Sequence, residues 1–121
     1  MSMSIINNDD HILVESAAGM NFWDIMEGIS KLFSMPEFKE KNDIWLFRDG
    51  QLKIMYSDLY SIKDLVEKVY PADSKGKKTA IVAHTGVQHG LATLYSDLAR
   101  DLPREIKVFS DLKSATDWIR S

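Results

Sequence analysis

The chain has 121 residues, 45% hydrophobic and 27% charged, with a formal net charge of −3; that is one domain's length, with enough apolar material for a real core. It has no cysteine, which excludes disulfides, zinc-thiolate centres and cysteine nucleophiles. The acidic balance argues against broad electrostatic binding of nucleic acid, which needs a surplus of Lys and Arg.

The opening residues Met1 to Asp10 lack a basic segment followed by an apolar run, so no signal peptide is expected. They read as a frayed tail or an edge strand. No apolar segment approaches the roughly 18 residues that span a bilayer, so no membrane insertion is expected and the cytoplasm is the default location. His11-Ile12-Leu13-Val14-Glu15 is a short β-like run, expected at a sheet edge and closed by the turn signal Ala18-Gly19. Asn21 reads as an N-cap with Asp24 at the third helical position. Phe22, Trp23, Ile25, Met26, Ile29, Leu32 and Phe33 then follow at mostly helical spacing, an amphipathic helix that Pro36 ends or turns through to about Lys41.

Ile44-Trp45-Leu46-Phe47 is an apolar run between Asn42-Asp43 and Asp49-Gly50, as expected of a strand covered on both faces. Some extended structure is expected over Gln51 to Tyr56. Ser61-Ile62-Lys63-Asp64 resembles a capping box, opening a helix with Ile62, Leu65, Val66 and Val69 inward and Pro71 as its stop. A lysine-bearing loop over 72–78 leads to a buried strand, Thr79-Ala80-Ile81-Val82-Ala83. The spacing then predicts a helix from about Gly86 to Arg100 with Val87, Leu91, Leu94, Tyr95 and Leu98 on its inner side. Ile106 to Phe109 reads as a strand. Asp111 to Arg120 reads as a helix facing inward through Leu112, Ala115, Trp118 and Ile119. Strand–helix alternation favours parallel pairing with helices covering the sheet. The expected fold is a single α/β domain over 1–121, with a mixed four- to five-stranded sheet flanked by helices.

Among motifs, Lys75-Gly76-Lys77-Lys78-Thr79 has lysines reminiscent of a phosphate loop, but they precede a strand instead of opening a helix. A solvated loop explains them. His11, His84 and His89 have no ligand spacing for a metal, since His84 and His89 at i and i+5 do not share a helix face. No cofactor is implied. Trp23, Trp45 and Trp118 sit inside apolar patterns and are expected in the core.

The stretch His84-Thr85-Gly86-Val87-Gln88-His89-Gly90 holds two of the three histidines. Thr85 and Gln88 match a capping box, which places His84 and His89 at the two positions that staple a helix start. The functional reading of the same loop is a contact for an anion or a partner at a helix N-terminus, where free amides point outward.

Ala80-Ile81-Val82, His89-Gly90-Leu91-Ala92 with Tyr95, Ile106-Lys107-Val108-Phe109, and the closing Asp111, Ala115 and Trp118-Ile119 together resemble the SpoIIAA-like group of STAS-type domains, also described as STAS/SEC14-like. Ile44-Trp45-Leu46-Phe47 is similar to that family's central strand. The specific part covers about the last 45 residues; the first half matches in layout. The resemblance implies a mixed sheet flanked by helices, usually without catalytic activity, in bacterial cytoplasm. It also implies protein partners switched by phosphorylation of a serine after a central strand. Phe47 to Gln51 has no serine at that place, the next being Ser57. Many small members carry an arginine where this chain has Thr93.

The first expectation is therefore a non-catalytic regulatory domain that binds a protein or a small ligand, using Asp49, His84, Thr85, Gly86 and His89, with a homodimer left open. The alternative is a carrier of a lipid-like apolar ligand, held between the Phe22–Phe33 helix and the sheet. A third reading is a small enzyme with His84 or His89 as acid–base.

Overall fold

Asn42 to Leu46 form the middle strand of a five-stranded sheet in a computed structural model that describes residues 3–16, 20–47, 53–69, 76–83 and 86–121. In chain order the elements are β1 (Ser4–Asn7), β2 (His11–Glu15), α1 (Phe22–Ser34), a 3-10 helix (Pro36–Glu40), β3 (Asn42–Leu46), α2 (Asp58–Val69), β4 (Lys78–Val82), α3 (Gly86–Leu98), β5 (Glu105–Phe109) and α4 (Leu112–Ile119). The strands lie in sequence order, β1 antiparallel to β2 and the rest parallel. The mixed α/β architecture expected from alternation is present. Each parallel step needs a crossover, and α1, α2 and α3 supply them.

β2 is not the edge expected of it. A tight turn, with Asn8 N donating to His11 O at 2.9 Å, returns β1 onto its outer side. Register then decides which face each side chain takes. Leu13, Ile44, Leu46, Ala80 and Val82 point to one side and pack with Ala115 and Ile119 of α4. Ile12, Val14 and Trp45 point to the other, joining Ile25, Ile29 and Leu32 of α1 and Leu59, Ile62 and Val66 of α2. Ile81 meets Ala92 of α3 on that same side. α1 packs on α2, and α2 on α3. The sheet thus has three helices on one face and one on the other.

α1 begins where the residues said it would. Asn21 Oδ1 accepts from Asp24 N and Asp24 Oδ2 accepts from Asn21 N, each at 3.0 Å, a reciprocal cap. Gly28 lies inside α1 because Met3 Sδ occupies the space that a Cβ would take. Trp23 is not in the core: it is 73% exposed. The inward stripe is set by Ile25, Ile29 and Leu32, and residue 23, two positions before Ile25, falls on the far side of the helix. Trp45 is buried and Trp118 half-buried.

α2 starts a turn earlier than the Ser61 box. Asp58 Oδ2 accepts from Met55 N at 2.8 Å, which makes the preceding turn part of the helix start and adds Leu59 to the Ile62–Val66 stripe. In α3, Val87 is 77% exposed and Leu94 is also exposed; the inner positions are Gln88 and Ala92, with Leu91, Tyr95 and Leu98 partly covered. Leu112 of α4 is exposed as well, while Asp111 caps that helix by accepting from Ser114 N at 2.8 Å. Of the extended structure expected over 51–56, residues 51 and 52 lie outside the described residues, and the described part shows one bridge, Lys53 with Asn21. The Ala18-Gly19 turn, the Pro71 stop and most of the lysine loop lie outside the described residues. Among the described residues no helix is long and apolar enough to cross a membrane.

Candidate functional site

The three helices on one face do not close fully over the sheet. Between them lies a partly open cavity of about 90 Å3. Its walls are Ile25 and Ile29 of α1, Ile62 and Val66 of α2, and Leu91 and Ala92 of α3; Trp45 and Ile81 line it from the sheet. Local sequence explains the space. Ala92, packed with Ile81, offers only a methyl on the α3 wall, and Asp43 and Thr79, both short, lie at the start of β3 and β4.

Four polar residues also line the cavity: Asp43, Thr79, Gln88 and Tyr95. Asp43 is 1% exposed and Arg104, its counter-ion, likewise 1%. Asp43 Oδ1 accepts from Thr79 Oγ1 at 2.7 Å and from Arg104 Nη1 at 2.8 Å; Oδ2 accepts from Trp45 Nε1 at 2.9 Å. Burial pushes the Asp43 carboxyl above its usual pKa, against the pull of Arg104 and the three hydrogen bonds. Arg104 also donates to Lys41 O at 2.9 Å and to Phe38 O, and its guanidinium lies 3.7 Å from the centre of the Phe38 ring. These contacts make Arg104 a clamp between the 3-10 helix, β3 and the start of β5. Its Nε has no hydrogen-bond partner among the described residues.

Tyr95 reaches the cavity from the third turn of α3. Burial first, and the Asp43 charge second, push its phenol above the ordinary tyrosine range. Among the described residues its hydroxyl has no hydrogen-bond partner. The cavity is thus apolar around most of its wall, with an acidic, hydrogen-bonded cluster at one end.

Of the residues expected to form a site, Asp49, His84 and Thr85 lie outside the described residues. Gly86 opens α3, exposed, with open space around it. His89 is half-buried in the first turn, and its carbonyl accepts from Thr93 Oγ1 at 2.9 Å. Neither lines the cavity. His11 is buried at the other end of the sheet, with Nδ1 2.7 Å from Asp10 Oδ1 and Nε2 3.3 Å from Asn8 Nδ2. Among the described residues no three His, Asp or Glu side chains are grouped as metal ligands.

Asp43, Thr79, Tyr95 and Arg104 were not among the site residues read from sequence. Asp43 carries a faint signal, a carboxylate directly against the apolar run Ile44 to Phe47, where it passes for a strand boundary. Arg104 carries none, because its partner is 61 residues away.

Fold and site together define a small α/β domain with an apolar cavity beneath its helices. No protein-family model, curated protein or solved structure matches the chain.

Proposed function

We propose that the chain is a non-catalytic binding domain whose ligand occupies the cavity beneath α1, α2 and α3. The observation that carries this reading is the cavity itself, an apolar concavity with a few convergent polar groups, which is the usual form of a small-molecule site. It lies between α1 and the sheet, where the carrier reading expected a ligand.

Size narrows the ligand. A volume of about 90 Å3 is smaller than the ~150 Å3 apolar cavity that holds benzene in another protein, and far below the ~300 Å3 at which pockets for drug-sized molecules begin. The buried part of the ligand is therefore about half a dozen non-hydrogen atoms. A long acyl chain does not fit inside; only its end could.

The SpoIIAA-like resemblance is part of the same reading, supported by the mixed sheet flanked by helices. So is a regulatory role in which the surface at Asp49, His84, Thr85, Gly86 and His89 meets a partner protein. α3 links the two places, with Gly86 and His89 in its first turn and Leu91 and Ala92 on the cavity wall.

Titration with toluene, followed by methyl NMR, tests the binding site. The expected result is saturable shifts centred on Ile25, Ile29, Ile62, Val66, Leu91 and Ala92. Shifts scattered over the surface, or none up to the solubility of toluene, would contradict it.

A further inference from the structure

The cavity's polar end says more than that a ligand is small and apolar. A carboxylate oxygen can accept two hydrogen bonds. Asp43 Oδ1 already accepts two, but Oδ2 accepts only one among the described residues, from Trp45 Nε1. Tyr95 lines the same cavity with a hydroxyl that has no partner among the described residues. One end of the cavity therefore presents one open acceptor and one open donor. The Tyr95 hydroxyl, in a partly buried side chain on an apolar wall, is a point at which a ligand group gains a hydrogen bond.

We infer that the ligand is neutral and carries a hydroxyl group, a small alcohol or phenol that donates to Asp43 Oδ2 and accepts from Tyr95. This rests on the cavity reading above and specifies its chemistry. The charge balance excludes the two ionic alternatives. A carboxylate ligand would be placed against Asp43, whose counter-ion Arg104 already directs Nη1 to Asp43 and Lys41 O and Nη2 to Phe38 O. An ammonium ligand would bring a second positive charge to a carboxylate already neutralised by Arg104, and a buried charge without its own counter-ion is costly. A hydrocarbon fits the walls but leaves Tyr95 unpaired. A hydroxyl is both donor and acceptor in one atom, which matches the open pair and leaves no charge to compensate.

Phenol and toluene are near-isosteres that separate these alternatives. In a wholly apolar cavity toluene binds more tightly, because phenol must shed water without replacement. With the polar end engaged, phenol is expected to bind about tenfold more tightly than toluene to the wild-type chain, as measured by NMR titration. Tyr95→Phe, which removes one oxygen and little else, should shrink that preference severalfold, because the bond from Tyr95 is lost while the one to Asp43 Oδ2 remains. Toluene binding as well as or better than phenol to the wild type overturns the hydroxyl inference and leaves the apolar site standing. A phenol preference undiminished by Tyr95→Phe overturns it too, since Tyr95 would then play no part. If neither compound binds, the cavity reading fails and the inference falls with it.

Discussion

Asp43 and Arg104, 61 residues apart in sequence, face each other across 2.8 Å with both side chains almost wholly withdrawn from water. Such a pair is weak evidence of net stability, because removing two charges from water offsets much of their attraction. What it does supply is placement. Arg104 ties the start of β5 to Lys41 and Phe38, and Asp43 in turn orients Thr79 and Trp45 at the cavity's polar end. Arg104→Leu is therefore expected to destabilise the fold by about 3–5 kcal/mol, since it leaves a buried carboxylate uncompensated. The double replacement Asp43→Leu with Arg104→Met should cost less than Arg104→Leu alone. Urea denaturation of the two variants beside the wild type measures both; a double variant less stable than the single would contradict this account.

The cavity predicts the effect of filling it. Ala92→Leu adds three carbons to a wall residue on α3 where space exists, so it should leave the urea midpoint unchanged or raise it. Toluene affinity should fall at least about tenfold. A variant that binds toluene as the wild type does would place the site elsewhere.

At the start of α1, Asn21 and Asp24 cap each other reciprocally. Asn21→Ala removes the acceptor for Asp24 N and is expected to cost about 1 kcal/mol. Asn21→Asp keeps an acceptor and should cost less. Thermal unfolding of the two variants compares them directly.

The acid response has a definite sign. Hydrogen bonds from Ser114 N and Oγ hold the Asp111 carboxyl below its usual pKa of 3.8. A depressed folded-state value contributes stability above pH 3.8 that is lost as pH falls through the lowered value. Asp43 works the other way. Burial raises its pKa, so the folded state holds that proton more tightly, and its ionisation lowers stability as pH rises from 3.8 through the raised value. Carboxyl carbon NMR of the folded chain should show Asp43 titrating above 3.8 and Asp111 below it. The reverse order would contradict both assignments.

What could be read from sequence was local. The cap of α1 rests on Asn21 and Asp24, three residues apart, and the same holds for Asp111 and Ser114 at α4. The strands were legible because runs such as Ile44 to Phe47 and Thr79 to Ala83 are too apolar for anything but the middle of a covered sheet. Side-chain direction on α3 was not, because Gln88, a polar residue, takes an inward position that periodicity assigns to Val87. Trp23 shows the same failure in reverse: a large apolar side chain can end on the outer side when smaller neighbours set the stripe. The carrier alternative looks for a pocket between the first helix and the sheet; the polar end of the cavity depends on Asp43 of β3, Thr79 of β4, Tyr95 of α3 and Arg104 just before β5 coming together. A void is a property of packing, and no spacing within one element announces it.

Xenon tests for the apolar site beneath α1, α2 and α3 with the fewest assumptions. A crystal pressurised with xenon should show a strong anomalous peak bounded by Ile25, Ile62, Trp45 and Ala92, since such cavities take up xenon. The same crystal form of Ala92→Leu should show the peak lost or much reduced. A wild-type crystal with no xenon between these residues, their side chains packed against one another, would contradict the account.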